Sequence, residues 1–460
     1  MGFNDDIGWT NTVNTMDGAD LFELSLVGEG YSWDGGVKDF TKKTVVIKIK
    51  EEDGTLAEEA LEIRSSVHGP VISQKKDKAI AIRIAGLDQP YIIEQLWQIK
   101  QAKNLEQFEK AVSRLQVPLL NFLYADREGH IMYLFGGRTP RRSGGDWEYW
   151  SGVVPGDSST RLWTETLTYQ ELPKVIDPPS GWLQNTNDPP WYCTFPQLLD
   201  PNDYPRYLAP QGMHFRAQSS AKMLMNDESI TFEEFVRYKM STRAEMAERI
   251  LDDLIPAARS YGGKQVQEAA DLLEAWDRCV DAESRGAVLF NMWVNEMGSN
   301  LFVVPWSPDD PLNTPDGLAD PIAAVRALER VAKNTKENYG ALDVPWGQVY
   351  RLRYAGADLP ASGGYGGLGI FSVLTFVPDT DNIFMPVHGE GYIALIEFGD
   401  PVRAKVLMTY GNATQPGSSH KGDQLDMFLK REFRTAWRTR REIEANLEYK
   451  VSFSTHQIEH

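Results

Sequence analysis

The feature that most constrains the fold is the order in which the hydrophobic period changes along the chain. Ile7 to Val13, Leu21 to Leu26, Val45 to Lys50, Leu61 to Ser66, Ala79 to Ile84, Val117 to Tyr124 and Ile131 to Phe135 read as strands, several joined by turn signals such as Asp17-Gly18 and Asp53-Gly54. One early stretch, Tyr91 to Leu115, has helical spacing through Leu105, Phe108, Val112 and Leu115. From Thr231 the period moves to about 3.6: Phe232 to Met240, Ala244 to Ser260, Val266 to Val280, Leu289 to Leu301 and Ile322 to Thr335 are helical, with Thr231 a good N-cap ahead of Glu233 and Glu234. Gly364 to Val377 and Tyr392 to Phe398 return to strand, and Gln424 to Leu447 reads as a charged closing helix. Strands, then helices, then strands predict one large α+β unit over residues 1–460, not a string of independent domains. Its parts are a first sheet region with long loops (1–225), a mainly helical region (226–340) and returning strands with the closing helix (341–460).

Composition narrows the function classes. Apolar residues are 42% of the chain, enough for a core of this size, and a net charge of −18 speaks against nucleic acid or an anionic membrane as partner. No apolar run is long enough to span a bilayer. The start, MGFNDDIGW, does not read as a signal peptide. Cys193 and Cys279 have no metal spacing, and a disulfide between them is neither required nor excluded.

Three motifs carry candidate chemistry. In Gly181–Tyr192, GWLQNTNDPPWY, Asn185 and Asn187 alternate along what reads as an extended segment stopped by Asp188-Pro189-Pro190 and flanked by Trp182, Trp191 and Tyr192. An amide N–H on a stiff backbone suits an oxyanion hole; the plainer reading is an Asn-rich turn that caps itself. Asp17 and Asp20 stand three apart in a tight loop, a spacing that suits a hard cation or, more often, a solvated turn. In Pro386-Val387-His388-Gly389-Glu390, His388 and Glu390 share one side if extended, placing either to orient another imidazole or amine. His68 reads as a turn-packing residue.

Taken together the segments GFNDDIGWTNTVN, LEIRSSVHGPV, IRIAGLDQP, LQVPLLNFLYADREG, VVPGDSSTRLWTET, GWLQNTNDPPW, RYLAPQ, PVHGEGYIALIEF and TYGNATQPGSSH run in order from residue 2 to about 420. They resemble the penicillin/cephalosporin acylase family of N-terminal-nucleophile hydrolases, most closely the β subunit of cephalosporin (glutaryl) acylases. The resemblance implies an αββα sandwich with an inserted helical region and hydrolysis of a linear amide by an N-terminal serine whose own amine is the base. It implies that the Val13 N–H and the Asn187 side chain hold the oxyanion, with Asn185 the competing neighbour, and that Glu390 pairs with a histidine near the subunit's start. Leu120 falls where the family lines its acyl pocket and suits an apolar acyl group. Asp17 and Asp20 match calcium-binding aspartates of penicillin acylases, with Asp200 or Asp203 as a third, so a structural Ca²⁺ is expected and no organic cofactor.

In relatives GFN…TNTVN lies several dozen residues after the nucleophile, whereas here it begins at Gly2. The expectation is therefore a β-subunit-like chain lacking the serine-bearing segment, inactive alone, with an N-acyl small molecule as substrate and the α subunit or missing segment as protein partner. The alternative is a non-catalytic ligand-binding or scaffold descendant; an internal Ser418 or Ser419 triad has no G-x-S-x-G elbow to support it. By resemblance the location is periplasmic or secreted, with the cytoplasm open.

Overall fold

The computed structural model describes residues 1–452. A five-stranded antiparallel sheet has the order Gly2–Phe3, Ile7–Val13, Leu120–Asp126, Ile131–Phe135, Lys174–Ile176. Alternation along Leu120–Asp126 sends Phe122 and Tyr124 to one face, where Phe108 packs with ring centroids 6.3 Å and 4.7 Å away. Phe108 belongs to the second of two helices, Ile92–Gln101 and Leu105–Val112, which stand in place of the single helix expected over Tyr91–Leu115. Asn104 makes the break: it takes an extended backbone and its side chain accepts the Gln107 N–H as an N-cap. The opposite sheet face carries Asn121 and Tyr133, both fully buried.

The strand Ile7–Val13 leads through the Asn14–Gly18 loop into Ala19–Val27, which belongs to a second, eight-stranded sheet. That sheet includes the hairpin Thr41–Lys50 with Leu56–Ser66, turned at the expected Asp53-Gly54. The helical region forms a core around Trp293, whose indole N–H donates to the Ala324 carbonyl at 3.0 Å, and around Trp346 stacked on Tyr350 at 3.6 Å. Its longest helix, Pro321–Tyr339, has clear start and stop signals. Asp320 accepts the N–H groups of Ile322 and Ala323, Pro321 sits at the first position, and Gly340 ends it at φ 76°. The expected capping box at Thr231 is present, with Glu234 as its reciprocal partner.

Two further expected elements differ. Only Leu374–Pro378 of Gly364–Val377 is a strand, because Gly366–Leu368 closes a 3₁₀ turn first. The stretch 424–447 is not one helix but Leu425–Leu429, a two-residue strand at Arg434–Thr435 and Arg440–Ala445; its charged residues give no apolar stripe long enough to hold a helix against the core. Among the described residues no helix is long and apolar enough to cross a membrane. Both cysteines are free.

Candidate active site

The segment Gly181–Tyr192 is not a strand. Asn187 has φ 72°, in the left-handed region that asparagine tolerates better than most residues, and its N–H donates to Asn185 Oδ1 at 2.9 Å. Locally the self-capping Asn turn is what forms, and the two side chains do not alternate on one face. They divide the work instead. Asn185 is a hub: its Oδ1 also accepts from Thr12 Oγ1 at 2.5 Å and Asn121 Nδ2 at 3.0 Å, while its Nδ2 donates to the Asp188 carbonyl at 3.0 Å. Tyr133 OH in turn donates to Asn121 Oδ1 at 2.8 Å and fixes that amide's orientation. Burial holds the Tyr133 phenol well above its usual pKa, so it acts as a neutral donor.

Asn187 is left exposed, and its carboxamide lies on the edge of the first sheet. Nδ2 donates to the Val13 carbonyl at 2.9 Å, and Oδ1 accepts from Arg216 at 2.8 Å. Val13 is open to this side for a reason of register. Asn14 N–H donates to the Leu119 carbonyl across the ladder, so by antiparallel alternation the next pair, Val13 with Leu120, turns its N–H and C=O groups away from the neighbouring strand. The strand Gly2–Phe3 pairs only Gly8 and Trp9 on that edge and stops short of Val13. Val13 as a residue is 60% exposed.

Behind this edge the charge is compact. Arg216 also donates to the Thr186 carbonyl. Burial lowers its pKa, opposed by the carboxylates of Asp188 and Glu390. Asp188 is fully buried and its Oδ1 accepts the Thr186 N–H at 2.8 Å. His214, two residues before Arg216 and the N-cap of the helix Phe215–Met225, also has its pKa lowered by burial, against the pull of Asp188.

Glu390 follows the strand Phe384–Gly389. Its Oε1 accepts from Lys239 Nζ at 2.6 Å and from the Val373 N–H at 3.3 Å, so a lysine at the end of the helix Phe232–Lys239 holds the carboxylate here. His388 is exposed and takes no part in this pair. Gly389 is needed for the geometry: at φ 146°, an added Cβ would lie 2.4 Å from the Val373 carbonyl oxygen. Gly389→Ala is expected to lower stability by about 1–3 kcal/mol in urea titration, as the strand leading to Glu390 is pushed off its partner.

Leu120 sits opposite Val13 and packs against the core under the first sheet. It does not line the neighbouring apolar cleft of about 520 Å³; Leu119 does, with Met16, Leu115, Ile84 and Ile92. At Asp17 and Asp20, where the resemblance implies a cation, the structure places the side chain of Arg142. Arg142 donates to Asp17 Oδ2 and Asp20 Oδ1, each at 2.9 Å, and the oxygens a cation would need are occupied by N–H donors. Asp200 caps its own turn at Asn202, and Asp203 lies within that same 3₁₀ turn. Sequence reasoning missed Thr12, Asn121, Arg142, Arg216 and Lys239. Only Asn121 left a signal, as a lone amide within the apolar run LLNFLY.

The family model for penicillin amidase matches residues 1–445, and the chain belongs to that family of N-terminal-nucleophile hydrolases. Among similar curated proteins are the acyl-homoserine lactone acylases PvdQ of Pseudomonas putida, 26% identical over 98% of this chain, and of Pseudomonas syringae pv. tomato, 27% identical over 98%. The chain spans 62% and 63% of those two proteins' lengths. The acyl-homoserine lactone acylase QuiP of Pseudomonas putida is 22% identical over 94% of this chain and 58% of its own length. A solved structure of a thermostable penicillin G acylase from Alcaligenes faecalis is similar with a TM-score of 0.70 at 17% identity, covering 99% of this chain and 89% of that one. At that identity the likeness carries the fold alone: the mixed α+β architecture is that of the αββα N-terminal-nucleophile hydrolases.

Proposed function

We propose that this chain supplies the charge-stabilising groups of an acylase that hydrolyses the linear amide of an N-acyl substrate, an acyl-homoserine lactone or a related N-acyl amine. The observation that carries the reading is the Asn187 carboxamide seated 2.9 Å from the Val13 carbonyl, on a strand edge whose N–H faces the same way. A carbonyl oxygen arriving there would accept from the Val13 N–H and from the second hydrogen of Asn187 Nδ2. Both donors are fixed before the reaction, which is what makes them effective on a developing oxyanion. The apolar cleft beside Met16–Ala19 suits an aliphatic acyl chain, in keeping with the names of the curated relatives.

The attacking group in this reading is a serine with its own α-amine as base. Among the described residues the hydroxyls of Thr12 and Thr186 are committed to Asn185 and Asp188. Glu390 uses Oε1 for Lys239 and Val373, leaving Oε2 to orient an imidazole or amine of the catalytic assembly. The acylase segment that carries the serine is the protein partner this reading calls for.

A second reading, a ligand-binding descendant without catalysis, draws on those same committed hydroxyls. Two measurements separate the readings: titration calorimetry with N-acyl-homoserine lactones of graded chain length, and turnover by the enzyme as its gene encodes it. Hydrolysis that fails in Asn187→Gly supports the acylase. Binding that is unchanged in Asn187→Gly, with no turnover in any preparation, supports the alternative. Turnover by residues 1–460 alone that is lost in Thr12→Val would overturn the assignment of the nucleophile.

A further inference from the structure

We propose that the Arg142 guanidinium takes the place of the calcium ion expected at Asp17 and Asp20, so that this chain folds around a cation of its own and has no calcium requirement. The resemblance implies a hard cation at these two aspartates; the loop holds an organic one. Arg142 Nη2 donates to Asp17 Oδ2, to the Asp17 carbonyl and to Asp20 Oδ1, each at 2.9 Å. Arg142 Nε donates to Asp20 Oδ2 at 3.1 Å, which makes the contact with Asp20 bidentate. Trp163 supplies a further donor to Asp20 Oδ2 at 2.5 Å.

Calcium needs six to eight oxygens at about 2.3–2.6 Å. Both oxygens of Asp20 are already taken by N–H groups, as are Oδ2 and the carbonyl of Asp17. No cluster of three or more His, Cys, Asp or Glu side chains able to hold a metal occurs among the described residues.

The guanidinium cannot simply swing away. The Arg142 side chain is 0% exposed, as is that of Asp20. The guanidinium carbon lies 5.0 Å from the Trp150 ring centroid and 5.6 Å from that of Tyr207, whose hydroxyl also accepts the Arg142 main-chain N–H at 3.2 Å. Arg142 Nη1 has no hydrogen-bond partner, which is tolerable where two aromatic rings take up part of the charge. Burial raises the pKa of both carboxyls and the guanidinium acts against that rise, the same electrostatic service a divalent ion would give. The contact also does the mechanical work of a bound ion. It ties the loop between the two sheets, four residues beyond Val13, to the long segment after residue 136.

The test uses the whole chain and reads thermal unfolding together with calcium binding by equilibrium dialysis. Wild type is expected to melt at the same temperature in millimolar calcium and in EGTA, and to retain no calcium on dialysis. A melting temperature that rises with calcium or falls with EGTA overturns the proposal. Arg142→Ser leaves the buried Asp20 and the partly buried Asp17 without their cation and is expected to melt about 5–10 °C lower. Millimolar calcium should recover part of that loss, and magnesium, which demands a smaller octahedral site, should recover less. A folded Arg142→Ser that ignores calcium also overturns the proposal. If Arg142→Ser does not fold, the wild-type titration decides alone.

Discussion

In the acylase reading, Asn187→Ala in the enzyme as its gene encodes it is expected to lower kcat about 10²–10³-fold, some 3–4 kcal/mol of transition-state stabilisation, with little change in KM. The expectation follows from where the carboxamide points. Its oxygen is engaged by Arg216 and one amide hydrogen by the Val13 carbonyl, so the remaining hydrogen is held without rotational freedom. A ground-state carbonyl gains little from that hydrogen; a tetrahedral oxyanion gains much. Alanine at φ 72° adds backbone strain of its own, so Asn187→Gly is the cleaner variant. It should show the same loss of kcat with an unchanged urea midpoint. Asn185→Ala should behave differently. It removes an acceptor shared by Thr12, Asn121 and the Asn187 N–H, and so is expected to lower stability and activity together. Equal kinetics for Asn187→Gly and wild type would remove the carboxamide from the mechanism.

Acid is expected to destabilise the protein most steeply between about pH 6.5 and pH 4, with His68 as one source of the loss. Its ring is fully buried, stacked on Phe22 at 3.8 Å, with Nε2 bonded to the Gly156 carbonyl at 3.0 Å and Nδ1 without a partner. Burial, and to a smaller degree the Arg83 charge, push its pKa down to about 4 from 6.5. Above pH 6.5 folded and unfolded chains both hold it neutral, and its contribution is complete. As pH falls through 6.5 the unfolded chain takes up a proton that the folded chain refuses until about pH 4, so stability drops across that window and not below it. A shift of this size corresponds to about 3 kcal/mol. Urea midpoints at pH 7.5 and pH 4.5 measure it: the drop should be smaller in His68→Phe, which keeps a flat ring and cannot titrate. An equal drop in both proteins would assign the acid limb elsewhere.

What could be read from the sequence was local. The Asp53-Gly54 hairpin and the Thr231 capping box are each decided within a few residues, and both formed where expected. The helix expected over Tyr91–Leu115 failed at Asn104, because two short helices packing on one sheet keep the same apolar spacing as one long helix. The Asn motif was legible in composition and misleading in conformation: alternation suggested a strand, and asparagine's readiness for left-handed backbone and side-chain capping prevailed. Yet Asn187 does meet Val13, although they are 174 residues apart. Arg142, Arg216 and Lys239 were not legible, since nothing in a linear sequence says which carboxylate or amide a distant cation will find. The aspartate pair at 17 and 20 shows the cost: spacing announces an appetite for positive charge and not who satisfies it.

The stretch from Val13 to Ala19 joins two jobs that need not change together. At one end the peptide edge and its asparagine are braced from behind by Tyr133, Asn121 and Asn185; at the other, Met16 and Leu119 line a greasy hollow whose lining includes none of those braces. In the acylase reading proposed above, breeding toward longer, shorter or branched acyl tails would work on the hollow's wall and leave the groups proposed to handle charge in place.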